Sequence, residues 1–331
     1  MSVSDGRIGR QEGGLDVLER ALFRVLIMVN TFRTGQLEEG LARHVFEDVP
    51  GLKEGRLSSL LKGGSVEEFG ELRESGGIGK GSQAGLLMAS LGAWTRLVAC
   101  TPHWRGVAME LAMRLLLKSQ WLIEELLQER KDELPHEALV EVSDGLEMVQ
   151  EALTRALSKK DELGGQHPAR FELKVQDVER LQVLLMVNTF RGGVSDARGL
   201  ARLVFWNVPG LGKGRLDSLI SGERLMEFSE LLGVPDIGPK ALDGLQKKAS
   251  WSLFSTNLTI ARRRRCEAVE LSMELLLRVR WCVEELVSQG KPGMPGYEAL
   301  VEASQWLEMA QGALVRAQEK LTKASKGVAL K

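Results

Sequence analysis

The chain has 331 residues, of which 44% are hydrophobic and 27% charged, enough for about two domains that each bury a core. That composition excludes the weakly hydrophobic, highly charged class of disordered chains. A net charge of −1 excludes a polybasic coat over the whole surface, but leaves room for a local basic face.

At the amino terminus, MSVSDGRIGRQEGG lacks the apolar core of a secretory leader, and no run of about 18 apolar residues follows anywhere. The expected location is nuclear or cytoplasmic, with no membrane partner. VLIMVNTFR (Val25 to Arg33) and GLARHVFEDVPGL (Gly40 to Leu52) then open a set of short helices broken by glycine turns. The first turn, VPGLKEGRL (Val49 to Leu57), leads through the connector LLKGGSVEEFGEL to a second, GGIGKGSQAGLL (Gly76 to Leu87). Two longer segments follow, Trp104 to Glu129 and His136 to Leu157, joined by a turn at Pro135. Their Leu, Ala, Met, Glu and Arg content predicts an antiparallel helical hairpin. Apolar residues on more than one face of the first segment predict a central helix covered on several sides.

The same order then returns. VLLMVNTFR begins at Val183 and GLARLVFWNVPGL at Gly199; VELSMELLLRVRWCVEELV answers MELAMRLLLKSQWLIEELL; EALVEASQWLEM answers EALVEVSDGLEM. Such self-similarity predicts an all-α chain of two homologous helical domains from an internal duplication. Each is a short-helix bundle with glycine turns followed by a long antiparallel helical hairpin. The units are residues 15–158 and 173–322, separated by a polar linker at 159–172 that holds Gly-Gly and a Pro. The second hairpin is expected to pair Arg265 to Ser288 with Gly296 to Leu321, and the tail from Lys323 to fray.

The turns carry the chemistry. A Pro-Gly pair sets a tight turn, glycine tolerates positive φ, and a helix that starts just beyond it has N–H groups without intrahelical acceptors. Those amides can meet a phosphate. In VPGLGKGRL (Val208 to Leu216), Gly210 and Gly212 stand beside Lys213 and Arg215, and VPDIGPKALDGL supplies Gly238 and Lys240. The first unit offers Gly51, Lys53 and Arg56, then Gly79 and Lys80.

The four turns resemble helix-hairpin-helix motifs, two per unit, as in paired helix-hairpin-helix domains. That resemblance implies DNA contact through backbone amides and phosphates with little reading of sequence. It covers about a quarter of the chain. Lys53 stands where the pattern has its second glycine, and Asp236 where the other turn has Gly210. A rival likeness is carried by LARHVFEDVPGLKEGRLSSLLKG (Leu41 to Gly63), which is similar to the paired helices of CUT domains in the repressor-like helix-turn-helix class. That likeness would send the helices from Glu54 and Lys213 into a major groove. The third reading is an ordinary Pro-Gly connection between two helices.

Charge is unevenly spread. Val208 to Arg265 holds ten basic and six acidic residues, a net of +4, whereas Cys266 to Leu321 holds five and nine, a net of −4. The first unit repeats the trend. The sharpest basic feature is the run Arg262, Arg263, Arg264 and Arg265, a candidate phosphate-binding stretch, a nuclear address or a solvated face.

Nothing points to an enzyme or a cofactor. All four histidines (His44, His103, His136 and His167) lie before the second unit, and no nucleotide loop, nucleophile elbow or metal-ligand spacing occurs. Cys100, Cys266 and Cys282 form no CxxC pair. The repeated Glu124-Glu125 and Glu284-Glu285 read as solvent edges of helices, and Trp121, Trp281, Phe46 and Phe205 as core. The expected function is non-enzymatic binding of nucleic acid, DNA or RNA. The alternative is an all-α scaffold that self-assembles into a homo-oligomer, or docks a protein partner, through its hairpins.

Overall fold

In the computed structural model the described residues are 15–33, 39–52, 54–73, 78–100, 103–129, 135–161, 171–191, 197–205, 207–250 and 258–328. Every element among them is an α or 3₁₀ helix. The amino-terminal half holds α1 (Val17–Arg33), α2 (Glu39–Phe46), α3 (Glu54–Leu61), a 3₁₀ segment (Phe69–Arg73), α4 (Lys80–Cys100), α5 (His103–Gln128) and α6 (His136–Asp161). The carboxy-terminal half holds α7 (Val175–Asn188), α8 (Ala197–Val204), α9 (Lys213–Ile220), a 3₁₀ segment (Phe228–Gly233), α10 (Pro239–Ser250), α11 (Leu258–Gln289) and α12 (Tyr297–Val328).

Three boundaries differ from the sequence reading. α11 starts at Leu258 rather than Arg265, so the arginine run lies inside it, and α4, at 21 residues, is longer than the short helices expected of that half. α12 continues to Val328, past Lys323 where the tail is expected to begin. α6 runs three residues into the expected linker, whose residues 162–170 lie outside the described set.

Helix-former content explains the long helices, and local caps fix their starts. Asp16 accepts the Glu19 amide at 2.7 Å while Glu19 accepts the Asp16 amide at 3.1 Å, a capping box at the head of α1. Glu71 and Glu230 reach back in the same way to the amides of Glu67 and Glu68, and of Met226 and Glu227, closing the two 3₁₀ segments.

The hairpins α5–α6 and α11–α12 do not stand apart. α5 packs on α11 and α6 on α12, each pair antiparallel, and the contacts come in reciprocal pairs. Arg155 meets Glu302 at 2.7 Å, and Arg316 meets Glu141 at 2.6 Å. Arg265 meets Glu129 across one end of the α5/α11 crossing, and at the other end Arg105 donates to the Gln289 carbonyl at 3.1 Å. At the centre the Ser119 and Ser272 hydroxyls share a hydrogen bond of 2.6 Å, both fully buried. These exchanges are those of an approximate two-fold axis. Between the two ion pairs of the outer layer Gly145 lets α6 approach α12 closely, since a Cβ there would press on Ala310 at 3.1 Å.

The α5/α11 pair is the middle layer, with α6/α12 on one side and α1 and α7 on the other. This covering satisfies the multi-faced apolar pattern of the long helices within the chain. A single buried cluster runs through both halves, with Phe23 of α1 against Trp281 of α11 at 5.8 Å.

The repeated NTFR acts as a clamp. Asn30 donates to the Val66 carbonyl at 2.7 Å and accepts the Val66 amide at 2.9 Å; Asn188 does the same to Leu225 at 2.8 and 3.0 Å. Arg33 donates to the carbonyls of Leu60 and Gly64, and Arg191 to those of Leu219 and Glu223, so each guanidinium caps the carboxy-terminal end of α3 or α9. Phe32 and Phe190 stack edge-on against Phe46 and Phe205 at 5.7 Å. Asn188→Ala should therefore cost about 3 kcal/mol of folding free energy in urea denaturation, because it strands a buried amide and carbonyl together. A loss below about 1 kcal/mol would show that the clamp is dispensable.

Candidate nucleic-acid interface

The first turn of each half is built from the outside in. The Leu52 amide donates to the Val49 carbonyl, and the Leu211 amide to the Val208 carbonyl, both at 3.1 Å. Pro50 and Pro209 occupy the second position, and Gly51 and Gly210 the third at φ 79° and 81°. Proline followed by a residue at positive φ is the signature of a type II turn. Val49, Leu52 and Val208 are buried and Leu211 packs on the core, while both prolines stay exposed. Pro-Gly thus reverses the chain at the surface and returns its apolar ends inward.

VPDI is a turn of the same kind. The Ile237 amide donates to Val234 at 3.2 Å, and Asp236 holds φ 66° where the other turns hold glycine. Asp is one of the few side chains that enters this region with local support, so the departure keeps the turn.

The arginine after the turn has a structural task. Arg56 donates to the Gly51 carbonyl at 2.9 Å, and Arg215 to the Gly210 carbonyl at 2.7 Å. Each ties the following helix back to its own turn. Gly212, by contrast, sits at φ −72° and ψ 168°, extended backbone open to any L residue. The turn has no conformational need for a second glycine, which accounts for a lysine at the matching position in the first half. Lys53 itself lies outside the described residues.

Each first turn nests on the helix opened by the second. A Cβ on Gly51 would touch Gly81 and Ser82, and one on Gly210 would touch Lys240 and Ala241 at 3.0–3.3 Å. Ser82 also donates to the Gly51 carbonyl at 3.0 Å. One turn further along, Gly85 and Gly244 leave room for the carbonyls of Pro50 and Pro209, into which a Cβ would run. Gly79 and Gly238 supply the first acceptors of α4 and α10. The heads of α3 and α4, and of α9 and α10, are brought side by side in this way. Gly51, Arg56, Gly79, Lys80, Gly212, Arg215 and Lys240 are exposed there, with Gly210 and Gly238 half-buried and Lys213 opening α9.

The arginine run divides. Successive residues of a helix point about 100° apart, so four arginines cannot share one direction. Arg264 pairs with Glu129 and Glu125, and Arg265 meets Glu129 at 2.6 Å. Both are taken into the α5/α11 crossing. Arg262 and Arg263 are half-buried on α11. The repeated glutamate pairs divide likewise: Glu124 and Glu284 are exposed, but Glu125 holds Arg264, and Glu285 accepts the Trp94 indole N–H at 2.9 Å. The expectation that both members mark a solvent edge is corrected for the second of each pair. Trp281 is buried and Trp121 half-buried, and Trp206 lies outside the described residues.

Sequence reasoning missed the NTFR clamp and the glycines at 85 and 244. The signal was present in both cases, as identical residues at matching positions of the two halves. Among the described residues no group of His, Cys, Asp and Glu is placed to hold a metal ion, and no helix is long and apolar enough to cross a membrane. No protein family, curated protein or solved structure matches the chain.

The turns can be tested by stability alone. Gly210→Ala should lose about 1–3 kcal/mol, through positive φ and contact with the α10 backbone, whereas Gly212→Lys should stay within about 0.5 kcal/mol of wild type. Equal losses in urea denaturation would contradict the geometry given to these two glycines.

Proposed function

We propose that this is a non-enzymatic, tandem-repeat nucleic-acid-binding protein that grips the phosphate backbone through its paired glycine turns. The observation that carries the reading is the nesting of each Pro-Gly turn on the helix opened by the next, which gathers exposed glycine backbone, two helix heads and exposed cations in one place. Helix heads favour anions, and Lys80 and Lys240 lie where phosphates would approach them. Arg56 and Arg215 support the turns first and offer charge second, and Arg262 and Arg263 extend the basic stretch in the carboxy-terminal half. Arg264 and Arg265 are left out because Glu125 and Glu129 hold them.

Contacts of this type read charge and backbone shape rather than base sequence. The internal duplication supplies two such sites on one chain. If both engage one strand or duplex, effective concentration raises the apparent affinity above that of either site. The self-assembling alternative drew on broad apolar faces of the long helices, and those faces are covered within the chain by α5 on α11 and α6 on α12.

Titration of a fluorescent 30-mer, single- and double-stranded, at several salt concentrations tests the reading, with light scattering of the protein alone as companion. With about four phosphate contacts on a duplex, affinity should fall roughly a hundredfold between 50 and 200 mM salt. Lys240→Ala should make the slope of log K against log salt shallower by about 0.9, equally for unrelated sequences. Absence of binding at low salt would sink the reading, and large assemblies formed without nucleic acid would favour the scaffold.

A further inference from the structure

The approximate two-fold axis of the long helices also runs through the connectors. Glu68 accepts the Ser229 amide at 2.9 Å, and Glu227 accepts the Gly70 amide at 3.3 Å. In VEEFGEL and LMEFSEL these residues hold matching positions, so each half gives the other the same bond. The approach is close, since a Cβ on Gly70 would collide with the Ser229 side chain. This seam rests on the middle layer, where Glu67 meets Arg114 and Lys118 of α5, and Glu227 lies 3.9 Å from Arg278 of α11. One axis therefore relates the outer pair α6/α12, the middle pair α5/α11 and the two 3₁₀ segments.

The turns obey the same axis. α3 and α4 pack on α1 as α9 and α10 pack on α7. The clamps of Asn30 and Asn188, and the ties of Arg56 to Gly51 and of Arg215 to Gly210, repeat bond for bond. Each half thus holds its turns in the same way, and the heads of α3 and α4 are turned half a revolution from those of α9 and α10. The α6/α12 end of the axis repels a polyanion, because Glu137, Asp144 and Glu147 on α6 and Glu308 and Glu319 on α12 are exposed there.

A sugar-phosphate strand has a direction. Each site is asymmetric, a Pro-Gly turn at one helix head beside a second helix head of different sequence, so it meets a strand in one sense. Two such sites related by a half-turn meet strands of opposite sense. A straight single strand offers one sense only, whereas a double helix offers both, on strands related by dyads normal to its length.

Resting on the phosphate-binding reading of the turns, we infer that the ligand is a double helix, gripped with the protein's two-fold axis along a duplex dyad and one strand in each half. A two-fold protein matches a two-fold ligand in this way without reading its sequence.

The test separates strand sense from charge. Wild type is titrated at low salt with fluorescent all-thymidine 30-mers, which cannot pair with themselves: an ordinary strand, strands whose halves are joined 3′–3′ or 5′–5′, and the ordinary strand in duplex with its complement. One inverted strand supplies both senses in the order the sites require, and it should bind at least about tenfold tighter than the ordinary strand, as engagement of a second site allows. Lys80→Glu and Lys240→Glu change exposed cations at the heads of α4 and α10, and each silences one half. Either change should bring that ratio to about one and weaken duplex binding at least about tenfold. Equal affinity of wild type for the three single strands, or duplex binding that ignores either change, would overturn the duplex assignment while leaving the turns as phosphate sites. Failure of every probe to bind would remove the reading of the turns itself, and this inference with it.

Discussion

The antiparallel crossing of α5 on α11 is the constraint on which the rest of the structure depends. Both helices carry apolar residues on several faces, and such a helix is stable only when covered on several sides. Neither half can cover its own. Each hairpin therefore lies on the other, α6 on α12 outside and α5 on α11 within, and α1 and α7 close the far side. The buried Ser119–Ser272 pair at the centre is satisfied only because each serine meets the other. Arg265 and Arg105 then fix the two ends of the crossing.

That arrangement decides what the shorter elements can be. With α1 and α7 committed to the middle layer, NTFR at their ends becomes the point from which the turn-bearing helices are hung. Asn30 and Asn188 hold the connectors, and Arg33 and Arg191 hold the ends of α3 and α9. The glycine turns are then free to face solvent while their valine and leucine ends reach the core. Charge follows the same division. The exposed carboxylates Glu137, Glu141, Asp144, Glu147 and Glu151 run along α6 in the outer layer, whereas Lys80 and Lys240 stand at the turns.

Much of this was legible in the sequence, and the limits have physical causes. Helix type, the two hairpins, the turns and the match between halves all followed from composition, glycine placement and repetition. The pairing of the halves did not, because apolar periodicity shows which face is buried and not what buries it. For the same reason ARRRR read as one cationic stretch: nothing in those residues says that Glu125 and Glu129 of the other half stand against the last two. The turns were legible in kind but not in detail. Gly210 and Gly212 look alike in VPGLGKGRL, yet only Gly210 lies at positive φ, and the arginine matched in both halves holds a carbonyl.

The central claim is that the halves form one body through reciprocal helix pairs, with the α5/α11 crossing in a fixed register. Replacing Ser119 and Ser272 together by cysteine tests it directly, since their hydroxyl oxygens are 2.6 Å apart. Under mild oxidation the account predicts a disulfide linking positions 119 and 272 within one chain, identified by peptide mapping under non-reducing conditions. Recovery of both thiols unlinked from folded, oxidised protein would contradict it.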